Sequence, residues 1–258
     1  MKISRTLVIN DIHGPFHDPR LIDENGKGVV LEVAENLLVD RIVIAGDCLD
    51  LINMSSHDNG RVHPQIQVTL EDELEWGREF FYNLRARFPK TEIVFLFGNH
   101  EDRYDRAIVK DHKKFYDRLK LHLELNLEHH NIIWYDYNTR YQLEQSKLYI
   151  QHSPASYSSP QANLKTYPDT SSIFGCSHRV GHACHNGKDE IFHCYFNGWL
   201  STWDLTPEHE RVFRYRKNHA KWQNVLSIVT CIDGKTAYNT QHLIEDYRVI
   251  VDGFVFEG

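Results

Sequence analysis

Five short runs in the sequence combine residue types that suit a divalent cation: Asp11-Ile12-His13, Gly46-Asp47, Gly98-Asn99-His100, Gln151-His152 and Gly175-Cys176-Ser177-His178. Carboxylate, carboxamide and neutral imidazole donors match borderline ions such as manganese, iron, zinc or nickel. In Asp-x-His, the intervening residue lets two side chains leaving a strand end turn onto one ion. Each run taken singly has a plainer reading. Asp11 begins a turn, Gly46-Asp47 opens a loop, and His152 is a hydrogen-bonded core residue. That reading fails for all five together, because each falls where a strand is expected to end.

The elements that must position these runs follow from hydrophobic periodicity. Residues 6–10, 41–45 and 92–97 read as short buried strands, ending at Asp11, Gly46-Asp47 and Gly98-Asn99-His100. Between them, residues 28–39 predict a helix with Val30, Leu31, Ala34, Leu37 and Leu38 on one face. Residues 70–88 predict a longer one, with Thr69 as N-cap, Asp72 at the third helical position and Leu70, Leu74, Phe81, Leu84 and Phe88 apolar. The β-α-β-α-β order implies a mostly parallel sheet with right-handed crossovers. Such sheets build their sites outside the carboxyl ends of the strands, so the runs should converge. Residues 102–128 predict one charged helix. Strands are predicted at 132–135, 147–151, 171–174, 180–185, 190–196 and 226–231, with Asn186-Gly187 as a hairpin turn. The sequence has no internal repeat, low-complexity tract or linker, which favours one domain over 1–258 with a surface excursion near 205–223.

Composition bounds the function. The chain's 258 residues suffice for one large core. Its net charge, 29 − 36 = −7, does not suit a protein that coats nucleic acid through its overall field. No run approaches the ~20 apolar residues of a membrane span, and no signal peptide is recognisable. Five cysteines without framework spacing fit a reducing compartment, so a cytoplasmic location is expected. The 17 histidines are many for this length, and histidine is the commonest metal ligand.

The five runs, in this order, resemble the signature of the calcineurin-like metallophosphoesterase superfamily: Asp-x-His, Gly-Asp, Gly-Asn-His, a lone His, then Gly-His-x-His. The stretches Asp11–Asp18, Gly98–Arg103 and Gly175–Arg179 are similar to small phosphoesterases of bacteriophage genomes, which would place the protein in a host cytoplasm. The resemblance covers about residues 7–200. It implies a four-layer α/β/β/α sandwich with mixed, largely parallel sheets and two divalent metal ions, manganese foremost. It implies that Asp11, His13 and His178 hold the first metal, that Asp47 bridges both, and that Asn99 and His152 hold the second. It further implies hydrolysis of a phosphate mono- or diester by metal-bound hydroxide, with Asp47 and His100 as catalytic residues and His100 reaching the phosphate or leaving-group oxygen. One departure stands out: Cys176 occupies the position of a family histidine. Either its thiolate replaces that ligand, or it packs aside and Asp47, Asn99, His152 and solvent hold the second metal.

Other features bear on the partner. Arg103 and Arg179, each just after a run, are candidate phosphate contacts beside Asn99, with pairing to a neighbouring carboxylate as the alternative. Arg211, Arg214, Arg216, Lys217 and Lys221 interleave with Phe213, Tyr215 and Trp222, a pattern that is more often a solvated charged loop but is able to grip a phosphate backbone and stack on bases. A nucleotide, DNA or RNA substrate is therefore favoured over a protein phosphatase role. A binding module that lost catalysis, like the retromer subunit resembling this family, would have no need of His100. The close spacing of Cys176, His178, His182, Cys184, His185, His193 and Cys194 invites a structural zinc. Strand alternation is expected to scatter these side chains over two faces, which argues against one.

Overall fold

A computed structural model describes residues 1–54, 68–201 and 221–258. Its first half alternates β1 (Ile3–Ile9), α1 (Val29–Asn36), β2 (Arg41–Ala45), α2 (Leu70–Arg87), β3 (Glu92–Leu96), α3 (Asn99–His112), α4 (Leu121–Glu124) and β4 (Ile132–Tyr135). The second half runs β5 (Tyr141–Gln142), β6 (Leu148–Gln151), α5 (Pro160–Thr166), β7 (Ser171–Phe174), β8 (Val180–Asn186), β9 (Ile191–Asn197), β10 (Val225–Ile232), β11 (Thr236–Leu243), β12 (Arg248–Val251) and β13 (Phe254–Glu257). One sheet has the order β11-β10-β1-β2-β3-β4, parallel from β1 to β4 and antiparallel across β10 and β11. The other has the order β5-β6-β7-β9-β8, with β6, β7 and β9 parallel and both edges antiparallel.

Side-chain alternation builds the layers. Leu7, Ile9, Ile42, Ile44, Ile93 and Phe95 face α1 and α2 in one core. Their neighbours Val8, Val43, Ala45, Val94 and Leu96 turn the opposite way and meet Leu148, Ile150, Ile173 and Tyr195 of the second sheet. The outer face of that sheet, with Phe174, Phe192, Cys194 and Phe196, packs on Leu164 of α5. The result is the mixed α/β sandwich of four layers that the resemblance implied. Among the described residues no helix is long and apolar enough to cross a membrane.

Helix α2 starts as its sequence dictates. The Thr69 hydroxyl accepts the Asp72 N–H, and the Asp72 carboxylate accepts the Thr69 N–H. Its buried face also takes in Trp76, Gly77 and Phe80. Three expectations need correction. The charged stretch 102–128 is not one helix: α3 begins three residues earlier, a 3-10 segment (Lys113–Arg118) follows, and α4 is a single turn. The β8–β9 hairpin does not turn at Asn186-Gly187. Asn186 still pairs with Ile191, and Gly187 N–H bonds Glu190 O across a longer loop. Beyond the predicted last strand, β11 adds to the edge of the first sheet, and β12 and β13 pair as a two-stranded sheet of their own. Residues 202–220, most of the expected excursion, lie outside the described residues. Its end at Gln223 returns to the fold, with Gln223 N–H bonding His178 O.

Candidate metal centre

The loops after β1, β2, β3, β6 and β7 meet at one end of the paired sheets. Backbone bonds continue the β1–β2 pairing past the strands: Asp11 N to Gly46 O, His13 N to Asp47 O and Gly14 N to Cys48 O, at 2.9–3.0 Å. Asp11, His13, Asp47, Cys176 and His178 all adopt positive φ, between 48° and 58°. For residues with a Cβ that region costs roughly 1–2 kcal/mol each, and such strain gathers where side chains must be aimed. Gly98 is needed for a different reason: a Cβ there would overlap the Asp47 carboxylate and amide.

Two donor sets result. In the first, Asp11 Oδ1 lies 3.0 Å from His178 Nε2 and 3.7 Å from His13 Nε2, and the two imidazole nitrogens are 3.4 Å apart. Asp11 Oδ2 is occupied by the side-chain amide of Asn10 and by Cys176 N–H, whereas the buried Oδ1 receives no hydrogen bond. In the second set, His152 Nε2 lies 3.2 Å from Asp47 Oδ2 and 3.1 Å from Asn99 Oδ1. The Cys176 sulfur is 3.1 Å from the same Asn99 oxygen, and it groups with Asp47 and His152 within 4.8 Å. The Cys176 sulfur thus lies beside the candidate donors of this set.

Bonds behind the donors fix which ring nitrogen faces inward. His152 Nδ1 donates to Ala45 O at 2.8 Å, which frees Nε2. His13 Nδ1 donates to the Asp50 carboxylate at 2.9 Å, with the same effect. His100 Nδ1 donates to the Asp50 carbonyl, leaving Nε2 3.7 Å from Asp47 Oδ2. Asp50 was missed in the sequence, although it lies three residues beyond Asp47 in the same loop. Glu101 was also missed. Fully buried, it accepts Asp47 N–H and Leu49 N–H at 3.0 Å and Gly98 N–H at 2.7 Å, lashing two loops together. Its signal was the residue position itself, the third of a helix, where an acid closes a capping box.

The electrostatics call for added positive charge. Burial opposes ionisation of Asp47, yet His100 and His152 hold its carboxyl well below the usual range. Burial likewise opposes ionisation of Asp50 and Asp11, and the histidines beside each outweigh it. His13 is buried, which disfavours its charge, but Asp11 and Asp50 push it up to about 10. The buried carboxylates therefore favour a proton on His13 and, despite its burial, on His152 beside Asp47, where a divalent cation would displace it. The donor types, the unbonded Asp11 oxygen and this charge balance fit divalent metal at both sets.

The predicted arginines divide. Arg179 bonds the Tyr157 carbonyl and lines a cleft of about 330 Å³ with Tyr157, Cys176, His178, Lys221 and Trp222. Arg103 lies against the carbonyls of Asp50 and Leu51, at 3.5 Å from each. Trp222, from the basic-aromatic stretch, meets the His178 ring edge to face at 4.4 Å, and Trp199 stacks on the same ring at 5.4 Å.

Fold and donors together define an α/β sandwich with a candidate metal site at its strand ends. The family model described as calcineurin-like phosphoesterase matches residues 4–229, so the chain belongs to that family. Membership implies metal-dependent hydrolysis of phosphoesters. A search of curated proteins finds no match to the chain.

Proposed function

We propose that the protein is a two-metal phosphoesterase acting on a nucleotide or nucleic-acid phosphoester. The observation that carries this reading is the pairing of two donor sets, Asp11/His13/His178 and Asp47/Asn99/His152/Cys176, with His100 facing them. The first set would hold one cation and the second the other, with Asp47 shared. When bound, such a pair supplies Lewis acidity and lowers the pKa of an attacking water. His100 Nε2, oriented by the Asp50 carbonyl, donates a proton to the leaving-group oxygen. Asp50 and Glu101 act through others: Asp50 sets the tautomers of His13 and His100, and Glu101 holds the Asp47 loop. Manganese suits the first set, and the sulfur in the second favours zinc or iron there.

The cleft supports the substrate class. Arg179 and Lys221 offer charge to phosphate, while Tyr157 and Trp222 offer faces for a base. This arrangement and the similarity to phage phosphoesterases favour nucleotides over phosphoproteins. The test is a screen of chelated, then metal-reconstituted protein against p-nitrophenyl phosphate, bis-p-nitrophenyl phosphate, cyclic nucleotides, short DNA and a phosphopeptide. Turnover on the nucleotide or DNA substrates above the phosphopeptide supports the reading. Preference for the phosphopeptide would assign a protein phosphatase, and inactivity throughout a binding module.

A further inference from the structure

A separate group of donors lies on the β8–β9 hairpin, outside the strand-end loops. Alternation does scatter the hairpin's five histidines and cysteines, but it leaves three of them together. His182 and Cys184 are two residues apart on β8 and share a face, and the register places His193 opposite Cys184 and Tyr195 opposite His182. Cys194 faces α5 on the other side, and His185 bonds Pro168 O. His182 Nε2 lies 3.0 Å from His193 Nδ1, and the Cys184 sulfur completes a group within 4.8 Å.

The geometry suits one cation. Two imidazole nitrogens bound at about 2.0–2.1 Å in a tetrahedron stand roughly 3.3 Å apart. The observed separation is close to that, so the rings need to move little. Tyr195 stacks on His182 at 4.6 Å and limits its rotation. Partial burial lowers the proton affinity of both histidines, which favours the neutral, ligating imidazole. β8 is an edge strand, and His182 and Cys184 are exposed, so a cation can enter from solvent.

We propose that His182, Cys184 and His193 form a surface site for one zinc-class cation, with the fourth position open to water or an exogenous ligand. Two imidazoles and a thiolate select zinc over manganese, and binding releases the Cys184 proton. The site is independent of the strand-end centre and of its proposed chemistry.

The test uses the full chain. After chelation, zinc binding by equilibrium dialysis is compared for the wild type, Cys184→Ser and His193→Gln. Each variant should bind one equivalent fewer, or bind that equivalent at least tenfold more weakly, with phosphoester turnover unchanged. In a Cys176→Ser chain loaded with cobalt, a sulfur-to-metal charge-transfer band should appear in the near ultraviolet and vanish on adding Cys184→Ser. Equal zinc equivalents and affinity in all three proteins would overturn the proposal. So would the absence of the band at saturating cobalt. The substituted side chains are exposed or half-exposed, so the fold should tolerate the changes.

Discussion

Removing the Glu101 carboxylate tests how the two central loops are held. Glu101→Ala leaves the amides of Asp47, Leu49 and Gly98 without the acceptor they share. An unsatisfied buried donor costs about 1–3 kcal/mol, so the gross penalty for three is about 3–9 kcal/mol. Two effects reduce it. Burial and the nearby Asp47 charge already raise the Glu101 pKa, so the lost carboxylate was itself disfavoured as an anion. Water entering the vacated space would also restore part of the bonding. A net loss of about 2–4 kcal/mol remains, which lowers Tm by about 5–15 °C for a chain of this size. Urea denaturation of chelated protein measures it without the added stability of bound metal. Glu101→Gln should fall between, because its carboxamide oxygen can replace the Oε2 that serves Asp47 and Gly98, while its NH₂ opposes Leu49 N–H. If Glu101→Ala unfolds within about 0.5 kcal/mol of the wild type, the carboxylate does not hold these loops together.

Three other changes separate the remaining roles. His100→Ala should keep its bound metal while turnover falls by about 10²–10⁴-fold, and stoichiometric metal loss would make His100 a ligand instead of an acid. Cys176→Ser should weaken one cation and abolish any cobalt–thiolate band that survives in a Cys184→Ser chain; an unchanged metal content would leave the sulfur as packing. Glu73 is fully buried, and burial, with Asp50 nearby, raises its pKa from 4.5 to about 7. The folded state therefore binds this proton more tightly than the unfolded chain. The resulting stability is complete below about pH 4.5 and is lost as pH rises through about 7, a change of about 3 kcal/mol. Denaturation at pH 4.5 and pH 8 should show that extra loss in the wild type and not in Glu73→Gln.

The parts of this molecule that sequence revealed were those with strong local grammar. Each of the first three strands ends in a short apolar run that gives way to a candidate donor within three residues, and Thr69 with Asp72 announces its helix start. The donors themselves were readable because their types and order are unusual together. What sequence concealed depends on partners distant along the chain. Asp50 and Glu101 look like ordinary surface acids until the fold buries them against His13 and the Asp47 loop. Stretch 102–128 carries charge enough for a long helix, yet Leu121, Leu125 and Leu127 must turn into the core, and the helix breaks to let them. Alternation alone could not show that His193 sits opposite Cys184, because the register depends on where the hairpin turns.

The most direct test is a manganese titration of chelated protein, with electron paramagnetic resonance and bis-p-nitrophenyl phosphate hydrolysis recorded on the same samples. Two ions sharing Asp47 should give an exchange-coupled signal, and hydrolysis should rise with it; both should be lost in Asp47→Asn. A protein that loads fully with manganese, shows only isolated ions and hydrolyses no phosphoester would contradict the two-metal centre.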